Sequence, residues 1–119
     1  LLHGHCHQKA FDAVRPIEEV LSWIDGMAVE KIETSCCGMA GAFGYGADTF
    51  DVSMKMANAT LLPKIRDADA DTVIIADGTS CRCQIKDGTA REAKHVAIIL
   101  DEWMKATDND KKRQPSFRI

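Results

Sequence analysis

The segment Thr72-Val73-Ile74-Ile75-Ala76, which runs directly into Asp77-Gly78-Thr79-Ser80-Cys81-Arg82-Cys83, decides the fold of this chain. A short apolar run rich in β-branched residues is typical of a strand that is buried on both faces of a parallel sheet. Such a strand needs helices above and below it to cover its two faces. The segment therefore predicts an α/β architecture.

The flanking sequence predicts further strands and helices in alternation. Residues 1–5 have the pattern of a strand end, and residues 27–34 alternate loosely between apolar and charged side chains, as a second strand would. Apolar residues at helical spacing predict helices over 11–24, about 49–65, about 83–93 and 95–105. This order predicts a three-layer, mostly parallel sheet with helices on both faces, of the flavodoxin or Rossmann kind.

Composition limits the class of protein. The chain has 119 residues, of which 45% are hydrophobic, and this suits one globular domain with a real core. A net charge of −3 gives no basic footprint for nucleic acid, and no apolar run approaches the ~20 residues of a membrane span. Leu1 already belongs to a predicted strand, so we expect a piece of a longer protein, with a domain over 1–106 and a polar, disordered tail over 107–119.

The five cysteines lie at comparable places along the predicted fold. They are Cys6, Cys36, Cys37, Cys81 and Cys83. An odd number argues against a secreted disulfide framework, and clustered cysteines in a cytosolic type of chain more often bind metal or act in redox chemistry. Each group follows a predicted strand, and the carboxyl ends of parallel strands meet at one edge of the sheet. The sequence therefore predicts a thiolate site at that edge.

The loop Cys36-Cys37-Gly38-Met39-Ala40-Gly41-Ala42-Phe43-Gly44 joins two adjacent cysteines to a series of glycines. Neighbouring side chains diverge on a helix or a strand, so the backbone must turn if both cysteines serve one site. We expect Gly38, Gly41 and Gly44 to permit that turn and to bring backbone N–H groups close to a bound anionic group. The alternative is a flexible loop beside two buried cysteines.

The spacing of the cysteines leaves the bound species open. Converging thiolates repel each other unless a cation or a cluster neutralises them, and both iron–sulfur clusters and structural zinc typically take four ligands. His3, His5 and His7 would share one face of a strand, where each is a candidate ligand or a hydrogen-bond donor to a sulfur. Arg82 either compensates thiolate charge or is an exposed arginine, and the sequence favours neither.

Three motifs resemble a known family. They are His5-Cys6-His7-Gln8-Lys9-Ala10, Cys36-Cys37-Gly38-Met39-Ala40-Gly41-Ala42-Phe43-Gly44-Tyr45 and Ser80-Cys81-Arg82-Cys83-Gln84-Ile85. In this order they are similar to the cysteine-rich CCG domain at the C-terminus of FAD- and iron–sulfur-containing 2-hydroxyacid dehydrogenases of the D-lactate and glycolate oxidase type. Related domains occur in the B subunit of heterodisulfide reductase and in the C subunit of anaerobic glycerol-3-phosphate dehydrogenase.

This resemblance implies an electron-transfer domain that carries an iron–sulfur cluster of the [4Fe–4S] type. By position in the motifs, the implied ligands are Cys6, Cys36, Cys37 and Cys81. The heterodisulfide reductase pattern closes with Cys-x-x-Cys, but residue 84 here is Gln, so Cys83 is a further candidate ligand together with His5 and His7. The rival hypotheses are a structural zinc or apo-thiol domain that docks subunits, and a thiol–disulfide catalyst that uses Cys36 and Cys37.

The resemblance also implies partners. In the parent enzyme, an FAD-binding domain oxidises the substrate, and ferredoxin-like domains pass electrons toward a quinone or a protein acceptor. We expect a cytoplasmic protein that associates peripherally with the inner face of the membrane through that parent enzyme. The isolated chain is not expected to turn over a hydroxy acid.

Overall fold

The computed structural model describes residues 1–33 and 36–109 of the chain. Within them, short strands alternate with helices along the sequence. In chain order the elements are β1 (Leu2–His3), α1 (Cys6–Ala10), α2 (Val14–Ser22), a 3-10 turn (Phe43–Tyr45), α3 (Phe50–Ala59), α4 (Leu61–Asp67), β2 (Ile74–Ala76), α5 (Thr79–Thr89), β3 (Ala93–Lys94) and α6 (Val96–Asn109).

The strands form a parallel sheet in the order β1-β2-β3. Residues 30–32 extend it beyond β1, since the Leu2 N–H donates to the Glu30 carbonyl at 2.9 Å and the Ile32 N–H donates to the Leu2 carbonyl at 2.8 Å. The predicted strand over 27–34 is thus reduced to a short parallel pairing around Lys31, and Thr34 lies outside the described residues. The predicted α/β class with a parallel sheet is confirmed.

Helices cover both faces of this sheet. Ile74 and Ala76 of β2 point into a core with α3, α4 and α5, whereas Ile75 points into a second core with α2 and α6. This alternation follows from the two-residue repeat of a strand, which sends successive side chains to opposite faces. The predicted three-layer arrangement is therefore confirmed, and strand β2 is buried on both sides, as its composition indicated.

The first predicted helix has different boundaries in the structure. Residues 11–24 do not form one helix, because Asp12 adopts a left-handed backbone conformation (φ 53°) and α2 begins only at Val14. Phe11 was expected to face the core but is 74% exposed. A separate helix, α1, begins at Cys6. The strand ends at His3, so the prediction that three histidines share one strand face is wrong.

The later helices also differ from the expectations. The helix predicted over 49–65 is two helices that meet at Thr60, because Pro63 in the first turn of α4 is incompatible with a hydrogen bond to the carbonyl of Ala59. Helix α5 begins at Thr79 rather than near 83 and so contains both Cys81 and Cys83. Helix α6 continues through Asn109, past the predicted helix end at 105, and residues 110–119 lie outside the described part.

None of the helices in the described part of the chain is long and apolar enough to cross a membrane.

Asp77, the residue that follows β2, ties two helices to the edge of the sheet. Its Oδ2 accepts a hydrogen bond from Gln8 Nε2 of α1 at 3.0 Å, and its Oδ1 accepts one from the Val96 N–H at the start of α6 at 2.9 Å. Arg82 donates to the carbonyls of Ala76 and Asp77 at 3.0 and 2.5 Å. The guanidinium therefore fixes the end of β2, which neither sequence interpretation of Arg82 anticipated.

Replacing Asp77 by Ala should destabilise the chain. The Val96 N–H and the Gln8 amide would lose their acceptor, and losing a helix cap of this kind costs about 1–2 kcal/mol. Urea denaturation followed by circular dichroism measures the change. Asp25→Ala, at an exposed turn after α2, is the matched control and should change the free energy of unfolding by less than about 0.5 kcal/mol. Equal effects of the two substitutions would contradict the role given to Asp77.

Candidate metal centre

Four of the five cysteines converge at the predicted edge of the sheet. Cys6 opens α1, Cys36 and Cys37 begin the glycine loop, and Cys81 lies in the first turn of α5. The thiol groups of Cys6 and Cys36 are hydrogen-bonded to each other, as are those of Cys37 and Cys81, and the two pairs interact electrostatically. Burial increases across the group, from the exposed Cys6 to the buried Cys37 and Cys81.

The charges of these thiols depend on one another. The pKa of Cys37 is lowered to about 4, chiefly by the hydrogen bond from the Cys81 thiol, with further help from the nearby His3 ring and the Met39 N–H. The pKa of Cys81 is raised well above its ordinary value, because a Cys37 thiolate and burial both oppose a second negative charge. Desolvation also raises the pKa of Cys36. Four thiolates can therefore coexist here only with a compensating positive charge.

His3 belongs to this site, although the sequence did not distinguish it from His5 and His7. It is the last residue of β1, it is 1% exposed, and its ring lies with Cys37 and Cys81 such that one nitrogen and the two sulfur atoms are within 4.8 Å of one another. Within the described residues neither ring nitrogen has a nitrogen or oxygen atom as a hydrogen-bond partner, and the ring interacts with the Cys37 thiol instead. Strand alternation could have identified His3. Leu2 points into the core that contains α2 and α6, so the next residue of the strand points to the other face of the sheet.

His5 and His7 have other roles in the described structure. His5 is the N-cap of α1: its Nδ1 accepts a hydrogen bond from the His7 N–H at 3.0 Å, and its own N–H donates to Gln8 Oε1 at 2.9 Å. His7 is exposed and packs against the ring of Phe11 at a tilt of 35°, with centroids 5.1 Å apart. The compact group of metal-ligating atoms contains His3 instead of either of them.

The glycine loop packs tightly onto α3. The Gly38 N–H donates to Cys36 Sγ at 3.3 Å, and the Met39 N–H donates to Cys37 Sγ at 3.4 Å. Gly38 has a φ of 87°, and a Cβ there would overlap the carbonyl oxygen of Ser53. Gly44 is equally confined, since a Cβ would come within 2.6 Å of Ser53 Oγ. These glycines let the loop aim backbone N–H groups at both sulfurs while touching α3.

Gln84 and Cys83 lie on different sides of α5. Gln84 shares the buried face with Cys81, three residues earlier, and its Nε2 donates to the Cys37 carbonyl at 3.1 Å and to Ser53 Oγ at 2.9 Å. Cys83 instead hydrogen-bonds with Tyr45. At the position where the related motif has a second cysteine, this chain therefore has an amide that holds the loop, and Cys83 lies beside Tyr45.

The chain has relatives among characterised oxidoreductases. It is 26% identical over 98 residues to the C subunit of the anaerobic glycerol-3-phosphate dehydrogenase of Escherichia coli K12, an alignment that covers 82% of this chain and 24% of that protein. It is 31% identical over 104 residues to the D-2-hydroxyglutarate dehydrogenase of Pseudomonas putida, covering 86% of this chain and 10% of the enzyme. The enzyme of the same name from Haemophilus influenzae is also 31% identical, over 107 residues.

No family model and no solved structure matches the chain. The relatives nevertheless represent two of the enzyme types that the three motifs indicated, a dehydrogenase of a 2-hydroxy acid and a part of anaerobic glycerol-3-phosphate dehydrogenase. The resemblance to the cysteine-rich CCG domain is therefore confirmed. The chain spans about a quarter of the first relative and a tenth of the second.

Gly38→Ala should perturb the site more than Gly41→Ala. Both glycines have positive φ, so each alanine incurs a backbone cost of about 1–2 kcal/mol. Only residue 38 also faces a steric overlap, whereas nothing lies within 4 Å of a Cβ at residue 41, and overpacking adds about 1–3 kcal/mol. Chemical denaturation measures the difference. Gly41→Ala as destabilising as Gly38→Ala would contradict the packing of this loop against Ser53.

Proposed function

We propose that this chain is an iron–sulfur electron-transfer domain of a flavin-dependent oxidoreductase. The observation that carries the proposal is the convergence of the thiols of Cys6, Cys36, Cys37 and Cys81 from three separate segments. Four cysteine thiolates are the usual ligand set of a [4Fe–4S] cluster. The relationship to parts of two dehydrogenases supports the redox assignment.

The surroundings of the thiols suit such a cluster. The Gly38 and Met39 N–H groups already point at sulfur atoms, and hydrogen bonds of this kind stabilise negative charge on cluster ligands. A bound cluster would supply one-electron transfer. The protein residues hold it between the end of β1, the glycine loop and α5, with the buried Cys37 and Cys81 inside and the exposed Cys6 at the surface. Electrons would therefore enter or leave on the Cys6 side.

A second candidate is a structural zinc site. One observation favours it: the ligand atoms of His3, Cys37 and Cys81 already lie within 4.8 Å of one another. Tetrahedral zinc, with Zn–S and Zn–N bonds near 2.3 and 2.0 Å, places its ligand atoms roughly 3.5–3.8 Å apart. Such a centre would leave Cys6 outside the ligand set or use it as the fourth ligand, and it would carry no electron.

The names of the relatives support a proposal for the class of the parent enzyme. Glycerol-3-phosphate and D-2-hydroxyglutarate, which name two of them, are both oxidised at a secondary alcohol. We place the chain in a 2-hydroxyacid dehydrogenase of the D-lactate or glycolate type. Its partners would be an FAD-binding domain, ferredoxin-like domains and a quinone or protein acceptor. Peripheral attachment to the membrane would come from those partners.

Anaerobic reconstitution of the full chain with iron and sulfide tests the domain's function. We expect about four iron atoms per chain and a broad visible absorption that is bleached on reduction. Serine substitutions at Cys6, Cys36, Cys37 and Cys81 should each weaken iron binding roughly tenfold or more, because each removes a thiolate ligand.

Cys83→Ser is the matched control for these variants. Cys83 hydrogen-bonds with Tyr45 instead of with the other cysteines, so this variant should keep the iron content of the unsubstituted chain. One zinc per chain, with no visible absorption after reconstitution, would contradict the iron–sulfur proposal and favour the zinc site. Loss of iron in Cys83→Ser equal to that in Cys36→Ser would contradict the ligand assignment.

A further inference from the structure

His3 is a buried polar residue that the proposed ligand set leaves without a role. Its side chain is almost fully enclosed (1% exposed), and within the described residues neither ring nitrogen has a nitrogen or oxygen atom as a hydrogen-bond partner. An imidazole in that state loses its hydrogen bonds to water, which is unfavourable, and its interaction with the Cys37 thiol is the compensation that the structure offers. A leucine would fill the same place at the end of β1 without this cost. The position of the ring near the sulfur atoms therefore calls for an explanation.

The sulfur atoms are the partners that the geometry offers to the ring. One nitrogen of His3 and the Sγ atoms of Cys37 and Cys81 lie within 4.8 Å of one another, and all three residues are buried. His3 lies on β1 and Cys81 lies on the helix that follows β2, and β1 pairs directly with β2 through Leu2 and Ile75. The backbone of the sheet thus holds the imidazole against the inner pair of cysteines.

The number of available ligand positions distinguishes two roles for the His3 ring, which are direct ligation of iron and a hydrogen bond to a ligating sulfur. If Cys6, Cys36, Cys37 and Cys81 fill the four ligand positions of a cluster, no iron is left for the histidine. A neutral imidazole still has one N–H to donate, and thiolate sulfur is an acceptor. On the other side of the site, the backbone N–H groups of the glycine loop already donate to the sulfurs of Cys36 and Cys37. His3 would be a side-chain donor that approaches from the sheet.

We propose that His3 is a positioning residue that donates its ring N–H to the sulfur of Cys37 in the iron–sulfur centre and thereby raises the reduction potential of that centre. This inference rests on the proposed function. Reduction adds negative charge to the cluster and its thiolates, so a hydrogen bond to a ligating sulfur stabilises the reduced form more than the oxidised form. Removing the donor should make the centre harder to reduce.

The test compares the full chain with His3→Gln and His3→Leu after anaerobic reconstitution. Iron and sulfide content, the electron paramagnetic resonance spectrum of the reduced form and the midpoint potential are measured for each. We expect all three proteins to bind iron equally. The centre in His3→Leu should have a more negative midpoint potential. At a fixed solution potential this corresponds to a roughly two- to tenfold lower ratio of reduced to oxidised protein. His3→Gln, which retains an N–H donor, should lie between the two.

Each other outcome has a distinct meaning. Failure of the unsubstituted chain to bind iron would overturn the proposed function and this inference with it. Equal potentials in three iron-loaded proteins would overturn the role of His3 alone. Loss of iron in both folded variants would also overturn it, because His3 would then be a ligand.

A measurement on the unsubstituted chain covers the case in which a variant does not fold. The chain is labelled with ¹⁵N-histidine, reconstituted and reduced, and the nitrogen coupling to the cluster is recorded by pulsed electron paramagnetic resonance. A weak coupling, transmitted through a hydrogen bond to sulfur, is expected. The absence of any coupling, or the strong coupling of a nitrogen bound to iron, would overturn the proposal.

Discussion

Mutual repulsion between converging thiolates is the constraint on which the rest of this structure depends. The pKa of Cys37 falls to about 4 because the Cys81 thiol donates to it, and the pKa of Cys81 rises for the same reason, so the protein by itself stabilises one negative charge where four sulfurs meet. Completing the ionisation requires positive charge from a bound group. The surrounding fold supplies the other compensation available to a protein, which is backbone N–H groups aimed at sulfur.

The parallel sheet brings these groups together although they are distant in sequence. β1 and β2 end side by side, so Cys6 and Cys81, which follow them at the start of α1 and α5, reach the same edge. Asp77 then fixes α1 and α6 to that edge, and Gln84 fixes the Cys37 carbonyl to α5 across a separation of 47 residues. The hydrogen bonds of Asp77 and Gln84 hold the site without using the sulfur atoms. The sulfur atoms therefore remain available to a ligand.

Sequence reasoning predicted the parts of this structure that local pattern determines. The apolar run 72–76 identified the central strand, and the rule that parallel strands end at a common edge predicted the convergence of the cysteines. Helix boundaries were harder, because periodicity shows which residues share a face but does not reveal a left-handed residue such as Asp12. The contact of Gln84 with Cys37 has no local signal at all, since it arises only when α5 packs against the glycine loop. His3 was indicated only together with His5 and His7, because the pattern does not show that β1 ends at His3.

The central claim is that the four converging cysteines enclose iron. The most direct measurement is X-ray diffraction from anaerobic crystals of the reconstituted full chain, recorded on both sides of the iron absorption edge and on both sides of the zinc absorption edge. The account predicts anomalous density for several iron atoms bounded by the Sγ atoms of Cys6, Cys36, Cys37 and Cys81. A single peak between His3, Cys37 and Cys81 that appears only above the zinc edge would contradict it.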